Sequence, residues 1–204
     1  MVAFDTVAEG ADAAITTDNV MAGSVSCRYI ADKLKGKGNV IIQNGPRVSS
    51  VVDRVNGCKQ VLAKYPDIKI LSDDQDGKGS REGGMAVALG YLTRFPKIDA
   101  IFTINDPQAI GTALAAKQTN RSEFFITSVD GSPDMEAALK DPAYAMIEAS
   151  ASQDFYAIPK VSVDTAIDLI IGKKPANPLI LIPSALVTRE NVGAYKGWNA
   201  KHDD

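Results

Sequence analysis

Ile104-Asn105-Asp106-Pro107 and Val129-Asp130-Gly131-Ser132-Pro133 each set a polar tip between an apolar run and the start of a helix. The runs that precede them, Ala100-Ile101-Phe102-Thr103-Ile104 and Phe124-Phe125-Ile126-Thr127-Ser128-Val129, are short and rich in β-branched and aromatic residues, as strands covered on both faces are. Past the first tip Asp106 reads as a helix cap with Pro107 at the first helical position, and Ser132 and Pro133 repeat the arrangement. Tips of this kind line the edge at which an open α/β sheet binds small molecules. Asn105 and Asp130 are thereby left at the mouth of the sheet, free to meet a ligand.

The alternation extends outward from these two tips. Upstream, a helix is predicted over about 19–34, a strand over 39–43, a helix over 50–65, a strand over 68–71, a loop over 73–79 and a helix over 80–94. Downstream come a helix over 133–139, a short strand near 145–149, a long helix over about 155–171 and an extended, proline-punctuated tail from Pro175. Single helices between strands require right-handed crossovers, so the expected fold class is α/β with a doubly wound parallel sheet. Residues 1–18 fit less simply. Val2-Ala3-Phe4-Asp5 reads as a buried strand with an acidic tip and no neighbours of its own, and residues 10–14 read as a loop.

Composition narrows the function classes. A chain of 204 residues that is 45% hydrophobic can bury a sizeable core. A net charge of -3 with no basic stretch argues against nucleic acid as the partner. The only histidine, His202, sits in a loose-looking end, so no internal histidine is present for a Ser/His or Cys/His relay or a zinc site, and neither a metal nor a cofactor is expected. The loop Asp73-Asp74-Gln75-Asp76-Gly77-Lys78-Gly79-Ser80 matches neither a calcium loop nor a phosphate loop and reads as a solvated turn before a helix. Cys27 and Cys58 fall in two different predicted helices and read as buried free thiols rather than a disulfide.

Arg54 follows the loop Gly45-Pro46-Arg47-Val48-Ser49-Ser50, at the carboxyl end of a strand. Its planar guanidinium can grip two vicinal hydroxyls in a fork geometry that lysine cannot reproduce. Asp5, Arg54, Asn105 and Asp130 all fall at strand ends on one edge, and this mixture of carboxylate, amide and guanidinium suits hydroxyls, which both donate and accept.

The ordered series Asp18-Asn19-Val20, Asn44-Gly45-Pro46, Asp53-Arg54-Val55-Asn56-Gly57, Asn105-Asp106, Val129-Asp130-Gly131-Ser132-Pro133-Asp134, Ala151-Ser152-Gln153 and Leu186-Val187-Thr188 resembles the monosaccharide-binding proteins of bacterial ABC importers, the ribose- and fructose-binding type of type I periplasmic binding proteins. The resemblance implies two doubly wound lobes joined by three crossings, near 16–18, 150–153 and 182–184, which close on a sugar like a hinge. Carried over by position, the sugar-contacting residues are Asp5 from the first lobe, Arg54, Asn105 and Asp130 from the second, and Gln153 beside a crossing. The implied division is residues 1–18 as the end of the first lobe, 19–149 as the second lobe, 150–182 as the second crossing and a returning helix, and 183–204 as the third crossing and tail.

Three departures qualify the resemblance. Most of the first lobe is missing from this sequence, Gly79 stands where ribose binders carry an aromatic residue, and Thr6 stands where they often place an arginine. The implied role is capture of a monosaccharide or polyol in the periplasm for an ABC permease, without catalysis and without nucleic acid. The effector domain of a LacI-type regulator shares the fold, and a doubly wound enzyme on sugar phosphates would use Asp130 and Asp106 as acid and base. The strand at 2–5 and the helix at 155–171 are expected either to self-associate through uncovered apolar side chains or to stay mobile.

Overall fold

The structure is a computed structural model and describes residues 1–201. His202 and the rest of the loose-looking end lie outside the described residues. Six strands form one sheet: β3 (Lys37–Gln43), β4 (Asp67–Ser72), β5 (Ala100–Thr103), β6 (Phe125–Asp130), β7 (Ile147–Ser152) and β9 (Leu186–Thr188), in the order β4-β3-β5-β6-β7-β9. All neighbours run parallel except β9, which pairs antiparallel with β7. The chain leaves β3 for the outer β4 and returns on the other side of β3 as β5, so the sheet reverses direction between β3 and β5. A crevice opens at such a reversal, outside the carboxyl ends of the two strands.

Strand periodicity divides the core between the two faces of this sheet. Val40, Ile42, Phe102 and Val129 face α1 (Asn19–Lys33) and α2 (Ser49–Leu62). Ile41, Ile101, Ile126 and Ile147 face α3 (Arg81–Arg94), α4 (Asp106–Gln118) and α5 (Pro133–Lys140). The two apolar runs that lead to the tips are buried along their length, as their composition requires: Phe102 and Ile126 are 0% exposed.

The two helices on the first face cross at glycines. A Cβ on Gly23 would stand 1.9 Å from the Arg54 carbonyl oxygen, and one on Gly57 would stand 2.0 Å from that of Val20, so no larger residue permits this approach. The same contact joins Cys27 to Cys58 in a disulfide with Cα atoms 5.0 Å apart. The expectation of free thiols is therefore corrected. Placement in separate helices does not separate two cysteines when the helices pack this closely.

A second, smaller sheet has the order β1-β2-β8, all parallel, from β1 (Val2–Phe4), β2 (Ala13–Thr17) and β8 (Leu179–Ile182). The expected neighbourless strand at 2–5 thus pairs with a buried strand lying across what reads in the sequence as loop and crossing. One face is covered by α6 (Ala157–Ile170), whose Ile158 is buried against Ile15 of β2. The outer side of α6 leaves apolar side chains open among charged ones: Val163 is 59%, Ile167 53% and Ile170 84% exposed, beside the Lys160–Asp164 pair.

Candidate functional site

Three passages link the two sheets, and hydrogen bonds tie them together. The Asp18 N–H donates to the Ile182 carbonyl at 2.7 Å, and the Ser184 hydroxyl donates to the Ser152 carbonyl at 2.8 Å. Beside them lies a cavity of about 430 Å³, lined by all five sequence-derived candidates: Asp5, Arg54, Asn105, Asp130 and Gln153.

Arg54 sits one turn inside α2, where the glycine crossing draws the helix onto α1. Its Nε donates to Asn19 Oδ1 at 2.8 Å, and its Nη1 donates to the Ile104 carbonyl at 2.8 Å and to Asp130 Oδ1 at 3.1 Å. Its Nη2 has no partner among the described residues and is not sealed in the core, so it is the nitrogen left to the cavity. Such locking removes rotamer freedom before a ligand arrives and presents one fixed pair of N–H donors.

Asp130 ends β6 in an unusual backbone conformation, φ 131°, followed by Gly131 at φ 65°. Besides Arg54 its carboxylate accepts from Gln153 Nε2 at 2.8 Å and from the Asp106 N–H at 3.4 Å. Burial pushes the Asp130 carboxyl up, against the pull of the Arg54 guanidinium. Gln153 spans the two sheets: its N–H donates to the Asp130 carbonyl at 2.8 Å, and its Oε1 accepts from the Thr17 hydroxyl of β2 at 2.8 Å. Asp5 follows β1 at φ 66°, and its carbonyl accepts from the Thr16 hydroxyl at 2.5 Å.

Two expectations at the first tip need correction. Asn105, not Asp106, is the cap of α4: its Oδ1 accepts from the Gln108 N–H at 3.2 Å, and its Nδ2 donates to the Gly79 carbonyl at 2.9 Å. Asn105 lines the cavity but already has a partner on each amide atom. Asp106 turns inward and is fully buried, accepting from Ser128 Oγ at 2.5 Å, Ser150 Oγ at 2.7 Å and the Ser132 N–H at 2.7 Å. Burial first and Asp130 second raise its carboxyl to about 7. Asp106 does not line the cavity, which counts against an acid–base pair with Asp130. Asp and Asn both cap helices, and proline fits either the first or second helical position, so the sequence places the cap only to within one residue.

Sequence reasoning missed Thr17, Asn19, Phe155 and Trp198. The first two are small buried polar residues that orient Arg54 and Gln153. Phe155 and Trp198 stack with ring centroids 3.8 Å apart at the cavity wall. The one available signal for Trp198 was that it is the single tryptophan of the chain. Gly79 also lines the cavity, without a side chain, so the solvated loop before α3 reaches it as well.

Residues 1–174 match the periplasmic binding protein domain. The xylitol-binding protein of Mycolicibacterium smegmatis is 36% identical over 128 residues, 62% of this chain and 36% of that protein. The ribose import binding protein of Escherichia coli is 30% identical over 161 residues, 78% of this chain and 53% of that protein. The chain thus spans between a third and about half the length of these relatives. Among solved structures, the binding protein component of the arabinose ABC transporter from Shewanella, bound to L-arabinofuranose, superposes with a TM-score of 0.85 at 26% identity, over 95% of this chain and 66% of that one. With the domain match running over residues 1–174, most of its length, the chain belongs to the periplasmic binding protein family.

Proposed function

We propose that this chain carries the sugar-recognising floor of a solute-binding protein that captures a monosaccharide or polyol in a cleft between two lobes and delivers it to an ABC permease. The observation that carries the reading is the Arg54–Asp130–Gln153 constellation, a guanidinium, a carboxylate and an amide held by one another at one edge of the cavity. Hydroxyls need donors and acceptors side by side, and this edge offers both. Relatives named for ribose and xylitol support the same ligand class. The Cys27–Cys58 bridge supports an exported, periplasmic protein over a cytosolic regulator of the same fold, because thiols stay reduced in the cytosol. Gln153, bonded to Thr17 on one side and Asp130 on the other, sits where closure of one sheet on the other would be felt.

Titration of the chain with D-ribose, D-allose and xylitol at millimolar concentration, followed by calorimetry, tests the reading. Arg54→Lys keeps the charge but loses the fork and is expected to weaken binding by about 1.5–3 kcal/mol. Absence of binding for every polyhydroxyl probe, or an unchanged affinity in Arg54→Lys, would refute it.

A further inference from the structure

The cavity has a polar floor and an aromatic wall, and the wall is built by the tail. Trp198 rests on Phe155, and its indole N–H donates to the Asp130 carbonyl at 3.1 Å. Three residues earlier the Tyr195 hydroxyl donates to the Gly131 carbonyl at 2.9 Å. Gly131 lies so close to the tail that a Cβ there would meet the Tyr195 hydroxyl oxygen at 2.6 Å. The tail is therefore pinned twice to the turn that carries the Asp130 carboxylate. One residue holds both parts of the site in register: its carbonyl fixes the indole and its carboxylate belongs to the floor.

Flat aromatic surface is useful only to a ligand with a flat apolar face. A ring-form sugar or a cyclitol has one, because its axial C–H bonds stand on the faces of the ring while its equatorial hydroxyls form a rim. An acyclic polyol has the rim but no such face. Gly79 lines the cavity without a ring, which leaves Trp198 and Phe155, beside an exposed Phe4 at the small-sheet edge, to supply the aromatic surface.

Building on the sugar-binding reading above, we propose that Trp198, seated on Phe155 and oriented by the Asp130 carbonyl, is the ligand-stacking face of the site and selects cyclic sugars and cyclitols over acyclic polyols. The ring face lies against the indole while the hydroxyl rim reaches Arg54 and Asp130.

Nuclear magnetic resonance of the described chain tests this directly, since Trp198 is the only tryptophan and gives one indole N–H signal. The probes are D-allose, myo-inositol and xylitol, followed at the Trp198 indole and at the Asn105 and Gln153 side-chain amides. D-allose and myo-inositol are expected to shift all three, with their C–H protons moved upfield by the indole ring current. Trp198→Ala should weaken the two cyclic probes about tenfold, and at least about fivefold more than it weakens xylitol. Trp198→Phe, which keeps a ring but loses the N–H, should hold the cyclic probes within about threefold. Shifted amides with an unmoved indole, or equal losses for cyclic and acyclic probes, would overturn the role of Trp198 and leave the sugar-binding reading standing. Silence at all three positions with every probe would overturn both. Should the alanine variant fail to fold, the indole shift in the unmodified chain and the phenylalanine variant still decide.

Discussion

Breaking the Cys27–Cys58 bridge is expected to cost far more than the loss of two sulfur atoms. The bridge closes a loop of 31 residues, and the chain-entropy relation, 2.1 plus 1.5R ln n in cal/mol/K, gives about 3.5–4 kcal/mol at room temperature. For a chain of this length that corresponds to a fall in Tm of about 10 °C. The effect reaches the site, because α1 and α2 meet at Gly23 and Gly57, and Asn19 of α1 orients the Arg54 guanidinium of α2. Urea unfolding of the oxidised chain, the reduced chain and Cys27→Ala/Cys58→Ala measures it. The oxidised chain should unfold at clearly higher denaturant, and reductant should leave the double variant unchanged. Coincident midpoints for the oxidised chain and the double variant, or two free thiols by mass under non-reducing conditions, would refute the reasoning.

Three further outcomes follow from buried and exposed groups. Asp106, whose carboxyl is raised from 3.8 to about 7, holds its proton more tightly in the folded state, so its contribution is whole below about pH 4 and is lost as pH rises through 7. Stability measured between pH 4 and 8 should fall over that range, and Asp106→Asn should flatten the slope. Gly57→Ala drives a methyl group to 2.0 Å from the Val20 carbonyl oxygen and should destabilise by about 1–3 kcal/mol in denaturant melts, with a midpoint equal to that of the unmodified chain ruling out the tight crossing. The apolar outer side of α6 should make the chain self-associate, and Ile167→Lys/Ile170→Lys should shift light scattering toward monomer; a monomer before substitution would contradict this.

The large sheet was legible because its central strands β5 and β6 are buried runs and two of its helices open on a recognisable cap: Ser80 and Ser132 cap α3 and α5 as their positions suggest. The candidates Asp5, Arg54, Asn105, Asp130 and Gln153 were legible as a group for a related reason. Arg54, Asn105 and Asp130 lie just beyond strand ends on one edge of the large parallel sheet and so must lie together, whereas Asp5 comes from the small sheet rather than from the same edge and Gln153 was implied by the resemblance; all five line one cavity. What the sequence hid were contacts between distant segments. Ala13-Ala14 is a weak strand signal, and only pairing with β1 and β8 makes β2 a strand. Nothing periodic relates Cys27 to Cys58 or Phe155 to Trp198. Their meeting depends on helix approach and on the path of the tail, both set by packing.

The small sheet joins strands that are remote along the chain, with Thr17 opposite Ile182, whereas the large sheet grows by adjacent strand–helix–strand units. Closing so long a loop is rewarded only once its ends have been brought near by structure already formed. The large sheet should therefore fold first and the small one dock onto it. In the native protein, amides of Ala13–Thr17 and Leu179–Ile182 should exchange through openings that leave Val40–Ile42 and Ile101–Phe102 protected. Asp5 belongs to that later-formed piece, so the part of the cavity it supplies would come and go with it, whereas Gln153 would lose its Thr17 partner but stay with Arg54 and Asp130.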